Sequence, residues 1–193
     1  MIRMYEKQIY RGVLLAVLYA VFFGAQFAQA SSNISSNAQK HWAWNDVIGW
    51  IDFRYEGNPN VYVSDDELTG YASSSVGFIA LNCDHSNPNA DVSLCANAGN
   101  FKVSNDGSGK LAGWAWSDAI GWISFCGNTG SGSLWNTLTG RWECPAGPSY
   151  WVNIETTQTT PGSYPGDVAG WAWNDAVGWI SFCGVSGSTN VSI

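Results

Sequence analysis

Five cysteines, two histidines and a few recurring carboxylates are the side chains of this 193-residue chain that could make or break bonds. The cysteines are Cys83, Cys95, Cys126, Cys144 and Cys183, and they form no C-x-x-C pair, so zinc is not their expected use and no metal is assigned. Two lie in each of two long connections, where a bond at the base of the loop restricts the unfolded chain. This placement predicts disulfides Cys83–Cys95 and Cys126–Cys144. Cys183 is left as a free or intermolecular thiol through which copies could self-associate. His41 and His85 sit in no nucleophile or metal motif. Asp46, Asp118 and Asp175 recur at one place in a repeated segment, and capping a turn accounts for them without catalysis. Asp65, Asp66 and Glu67, or Asn105 and Asp106, lack the spacing of a calcium loop. No catalytic residue and no cofactor is assigned. A carboxylate pair of glycosidase type leaves no local signature, so a secreted hydrolase ranks third among the readings.

The other candidate chemistry is recognition by aromatic surface. The chain has 12 Trp, and most fall in one repeated phrase. It reads GWAWSDAIGWISFCG at residues 113–127 and GWAWNDAVGWISFCG at residues 170–184. HWAWNDVIGWIDF (41–53) is a third copy, and GYASSSVGFIALN (70–82) is a worn one, with Tyr71, Ser73 and Phe78 in the three Trp positions. Each copy reads as a β-hairpin around an Asn-Asp or Ser-Asp turn. A turn centred on Asp118-Ala119 sets Trp116 opposite Gly121, shielding it, and Trp114 opposite Ile123. Trp114, Trp116, Ile123 and Phe125 then share one face, and Ala115, Trp122, Ser124 and Cys126 the other. In that register Trp114, Trp116, Trp171 and Trp173 are core residues. Trp50, Trp122 and Trp179 stand among small neighbours, either packed on an adjacent unit or open as platforms for sugar rings. Trp135, Trp142 and Trp151, in or beside the connections, would complete such a glycan site.

Each hairpin is followed by a β-branched segment: VYVS (61–64), FKVS (101–104), YWVNI (150–154) and NVSI (190–193). The expected fold is all-β, built of four repeated three-stranded units at residues 41–69, 70–112, 113–169 and 170–193 of a single domain, 41–193. Sandwich, barrel and propeller-like closure all stay open at this point. An open row of units would leave a strand edge at each end for another copy to pair with; a closed ring would not.

Residues 1–30 have the pattern of a cleaved signal peptide: Arg3, Lys7 and Arg11, an apolar run over 13–25, then small residues at Ala28 and Ala30. A retained anchor is the alternative, for which the apolar run is short. Residues 31–40 form a polar segment. Three of the 8 Lys and Arg and one of the 15 Asp and Glu lie before Ser31, which leaves the mature chain with a net charge of −9. Such a chain repels phosphate backbones, so nucleic acid is not an expected partner, and no membrane span is expected after the cut. The expected location is extracellular, cell-surface or periplasmic.

The phrase resembles the G-(W/Y)-A-W-x-(D/E)-x-(I/V)-G-W-I-x-(F/L) repeats of exported bacterial proteins, over about a third of the chain. The resemblance implies bacterial origin and an extracytoplasmic place, and brings no activity with it. The leading expectation is therefore a non-enzymatic secreted or cell-surface β-repeat protein that displays disulfide-tied loops for contact or assembly with another surface protein. The alternative is a carbohydrate-binding, lectin-like module that meets an extracellular glycan through its tryptophans.

Overall fold

The four aromatic phrases form four β-hairpins in a computed structural model that describes residues 32–55, 61–86, 92–128, 131–157, 165–182 and 191–192. The expected signal peptide and Cys183 lie outside the described residues, as does most of the closing segment before Val191. The first hairpin joins Trp42–Asn45 to Gly49–Asp52, and the second joins Tyr71–Ser74 to Gly77–Ala80. The third and fourth use the C-terminal halves of Lys110–Ser117 and Asp167–Asn174, paired with Gly121–Ser124 and Gly178–Ser181. Each hairpin then pairs edge to edge with the next, through Asp52↔Ser73, Ala80↔Trp116 and Ile123↔Asn174. The fourth returns to the first through Asn45↔Ile180. The fold is all-β, and these pairings close an eight-strand barrel with further strands outside it. The hairpin layer is thus a ring and not an open row.

The hairpin register differs from the expected one by a single residue. Trp116 faces Trp122, Ala115 faces Ile123 and Trp114 faces Ser124, with Ser117 opposite Gly121. The turn takes in Asp118, Ala119 and Ile120, and Gly121 follows at φ +77°, a left-handed conformation that glycine adopts without strain. Because side chains alternate along a strand, this slip moves whole sets between faces. Trp114, Trp116, Trp171 and Trp173 are therefore not core residues but lie on the outer face.

Small and large residues alternate inside the barrel. Ala43, Ala72, Ala115 and Ala172 lie opposite Ile51, Ile79, Ile123 and Ile180. Phe53, Leu81, Phe125 and Phe182 add a third layer, and all twelve of these side chains are 4% exposed or less. An eight-strand barrel is just wide enough to be filled by its own side chains, and Ala opposite Ile meets that limit.

The first glycine of the phrase is a corner. At Gly113 and Gly170, with φ of +101° and +108°, the two long strands leave the barrel and their N-terminal halves enter a second sheet. A Cβ at Gly113 would collide with the carbonyl oxygen of Lys102, and one at Gly170 with that of Trp151. The second sheet runs in the order Tyr62–Val63, Glu67–Thr69, Phe101–Asn105, Lys110–Gly113, Tyr150–Ile154, Asp167–Gly170 and Val191–Ser192. All four expected third strands are in it, and Val63, Leu68, Val103, Leu111, Val152, Ile154 and Val168 extend the barrel core. The free side of Tyr62–Val63 is met by Asn33, whose side-chain amide exchanges two hydrogen bonds with Val63 (2.7 and 2.9 Å), like a strand of one residue. The described part of the polar segment, residues 32–40, is thus anchored, and its Ile34 is in the core, 2% exposed.

Both expected disulfides form, with Cα–Cα distances of 6.2 Å for Cys83–Cys95 and 5.5 Å for Cys126–Cys144. They are compatible with an oxidising, extracellular environment. The first holds its loop over the outer face of the second hairpin, where Tyr71, Ala80, Cys83, Cys95 and Phe101 make a satellite core. Two further strand pairs, Cys126–Asn128 with Ser131–Gly132 and Leu134–Asn136 with Arg141–Glu143, lie in the second loop, while Asn82–Cys83 pairs with Phe101 and Lys102. No helix among the described residues is long and apolar enough to cross a membrane.

Candidate functional site

The one-residue slip gathers three tryptophans on the outer face of each of three hairpins: Trp42, Trp44 and Trp50; Trp114, Trp116 and Trp122; Trp171, Trp173 and Trp179. The arrangement is the same each time. The second and third rings meet edge to face at 4.8, 4.9 and 4.7 Å, and the first and third at 6.4, 6.2 and 6.3 Å. The second indole N–H donates to the next aspartate, Trp44 to Asp46, Trp116 to Asp118 and Trp173 to Asp175, at 2.8–2.9 Å. The recurring aspartates therefore aim an indole, which corrects the turn-capping role expected of them. Asn45 and Asn174 do that capping instead. Each Oδ1 accepts two turn N–H groups, from Val47 and Ile48 or from Ala176 and Val177, at 2.9 Å. The aimed indoles also lie over the turn glycines Gly49, Gly121 and Gly178, which shields them by a different pairing from the expected one.

The rings are fixed but not covered. Trp50, Trp122, Trp171 and Trp179 are 44%, 40%, 46% and 47% exposed. Trp122 and Trp179 each rest one edge on an aromatic residue of the preceding unit, Phe101 and Tyr150, both at 5.3 Å. Their remaining surface is open. Rings held this firmly lose little freedom when a ligand stacks on them.

A groove of about 540 Å³ follows the seam between the third and fourth hairpins. Trp114 and Trp122 line one side, Trp173 and Trp179 the other, and the seam pair Ser124↔Trp173 crosses it. The loop tied by Cys126–Cys144 supplies further polar lining, including Ser131, and Gly132, where a side chain would strike the Trp114 ring. Tyr150 also lines the groove, and its hydroxyl donates to Ser124 Oγ at 3.0 Å, which leaves the phenol oxygen able to accept from a ligand hydroxyl. Flat apolar walls and a few fixed polar groups are the usual make-up of a small-molecule site.

The six tryptophans expected to form one glycan site are divided by the structure. Trp122 and Trp179 line this groove, whereas Trp135 and Trp142 line a second cleft of about 650 Å³ with Glu67, Asp84 and Lys102, and Trp122 and Trp142 meet at a smaller cleft of about 320 Å³ beside Phe101. Trp50 and Trp151 line none of these, and Lys110 Nζ lies 5.9 Å from the Trp151 ring centre. The sequence reading missed Trp114, Trp173, Ser124, Tyr150 and Asp175. The glycine that closes each turn was the signal for the longer turn that brings them outward.

Two of the three carboxylates of the acidic turn are paired from within the chain. Asp66 pairs with Arg141 at 2.8 Å and Lys102 at 3.4 Å, and Lys102 reaches Glu67 at 3.9 Å. Burial raises the half-buried Glu67 carboxyl above its ordinary value; Lys102 opposes this, and Asp66 and Asp84 add to it. Cys83, Cys95 and His85 come together, but both sulfurs are spent in the disulfide. His41, in the corner position that glycine holds in the other copies, bonds Asp52 at 2.6 Å and lies against Trp42.

No protein-family model matches the chain, and no curated protein or solved structure does either. Fold and site together define a disulfide-tied, eight-strand antiparallel β-barrel with a tryptophan-walled groove on its outer face.

Proposed function

We propose that the protein is an exported carbohydrate-binding protein that holds uncharged sugar in the groove between its third and fourth hairpins. The observation that carries this reading is the set of rigid, half-exposed indoles on both sides of a groove with hydroxyl groups along it. Sugar rings pair an apolar face with a rim of hydroxyls, and the groove offers a counterpart for each. The mature net charge of −9 disfavours anionic ligands, membrane surfaces rich in acidic lipid among them. Display of a disulfide-tied loop, the first expectation from the sequence, joins this reading, because the Cys126–Cys144 loop lines the groove.

A Trp side chain of about 250 Å² that is 47% exposed, as Trp179 is, offers roughly 120 Å² for stacking. Covering that area is worth about 2–3 kcal/mol before association costs. A glycan array followed by tryptophan fluorescence titration tests the proposal. At least one neutral glycan should quench the emission, and Trp179→Ala should weaken its binding about tenfold or more. A folded protein whose emission no glycan alters would overturn it.

A further inference from the structure

The barrel-side wall of the described groove recurs in the repeat. The seam between the fourth and first hairpins pairs Ser181 with Trp44, in the register that pairs Ser124 with Trp173 one seam earlier. Each barrel residue of the first groove has a counterpart in the same motif position at this seam: Trp171 for Trp114, Trp179 for Trp122, Ser181 for Ser124, Trp44 for Trp173, Asp46 for Asp175 and Trp50 for Trp179. Trp179 belongs to both. The indoles are aimed alike, with Trp44 on Asp46 and Trp173 on Asp175 at 2.9 and 2.8 Å.

The strip has ends. At the seam between the first and second hairpins, Asp52 faces Ser73, so a carboxylate replaces the serine and a serine replaces the tryptophan. At the seam between the second and third, Ala80 faces Trp116 and the serine is gone. Only the two seams that flank the fourth hairpin carry the full set.

Two like sets of outer side chains on neighbouring seams lie two strand spacings apart, about 10 Å along the sheet. A single sugar ring cannot cover both, while a polymer brings further rings along its length. Resting on the carbohydrate reading above, we infer that the ligand is a linear, uncharged polysaccharide that runs around the barrel across both seams, over the shared Trp179. Binding at two linked subsites makes affinity depend on chain length, since the second contact is made at high effective concentration.

The test is a fluorescence or calorimetric titration of the mature, oxidised protein with neutral polysaccharides (a β-glucan, a mannan and a xylan) and their oligosaccharide ladders. The longer oligomers of the bound polymer should bind about tenfold or more tighter than its shortest bound oligomer. Trp171→Ala and Trp50→Ala, each at an exposed ring of the second seam, should reduce that length advantage to about threefold or less. An affinity independent of chain length would overturn the two-seam inference and leave the single-groove function standing. A length advantage that survives in both variants would also overturn it. Failure of every polysaccharide and oligomer to bind would overturn the carbohydrate reading itself. Unchanged thermal melting of the two variants separates lost binding from lost folding.

Discussion

Asn174 ties two hairpins through one buried side chain, in addition to their backbone pairing, so its replacement should be felt by the whole barrel. The side chain is 1% exposed. Its Oδ1 accepts from Ala176 N and Val177 N at 2.9 Å each, closing its own turn. Its Nδ2 donates to Ile120 O at 2.9 Å and Trp122 O at 2.8 Å, carbonyls of the third hairpin. Asn174→Ala deletes all four bonds. At about 0.5–1.5 kcal/mol net for each, the loss spans roughly 2–6 kcal/mol. The two turn N–H groups lie beside exposed residues and can turn to water, so about 3 kcal/mol is the expected cost. In a domain of this size that lowers the melting temperature by about 6–12 °C. The third hairpin supplies the graded control, because Ser117 occupies the same place and caps only Ala119 N, at 3.3 Å. Asn174→Ser should keep a turn cap, lose the bridge and cost about half as much. Urea denaturation of the oxidised protein, read by fluorescence with the slope checked for constancy, gives both values. A loss below about 1 kcal/mol for alanine, or equal losses for alanine and serine, would refute the reasoning.

Gly170→Ala combines a left-handed backbone, about 1–2 kcal/mol for an L-residue, with a methyl driven into the Trp151 carbonyl. It should melt far below Gly140→Ala, which has the same kind of backbone and open space around it; equal melting would show that the corner is not tight. Replacing Cys83 and Cys95 together by serine should cost about 3 kcal/mol and loosen the cover over Tyr71 and Phe101, seen as faster amide exchange there. Glu67 titrates higher when folded than when unfolded, so its ionised form opposes folding at neutral pH, and the penalty fades as pH falls through the folded value toward 4.5. Glu67→Gln should therefore raise the melting temperature at pH 7, with the gain gone near pH 4. A gain that persists in acid would mean that charge is not its source.

The parts of this fold legible in the sequence were those set by short-range pattern. Repetition of GWAW and GWISF marked four hairpins, the trailing β-branched segments marked four more strands, and cysteines paired within their own loops. Register was not legible, because it depends on one residue of turn length. Asn174, Asp175, Ala176, Val177 and Gly178 read equally well as a tight two-residue turn until Gly178 is assigned φ +78°. That choice decided whether Trp171 and Trp173 lay inside or outside, and so decided the site. Ring closure was equally hidden, since the pairing of Asn45 with Ile180 spans nearly the whole domain and leaves no local trace.

The worn second hairpin separates what the barrel needs from what its surface carries. It keeps the inward series, Ala72, Ile79 and Leu81, buried like its counterparts in the other three copies. It also keeps the rung that ends each hairpin: Leu81 N donates to Gly70 O at 2.9 Å, as Phe125 N does to Gly113 O at 3.0 Å and Phe182 N to Gly170 O at 2.9 Å. On the outer face it has lost all three tryptophans to Tyr71, Ser73 and Phe78, and the ring closes through it regardless. Its outer face is the one covered by the Cys83–Cys95 loop. On the other three hairpins the third rings keep 40–47% of their surface exposed, although chain also reaches Trp114, beside Gly132, and Trp116, beside the satellite core. The outer tryptophans, whether aimed by an aspartate or standing open as third rings, are therefore not needed to close a barrel whose core is alanine, isoleucine, leucine and phenylalanine, and the proposed sugar contact draws on that separation of surface from core.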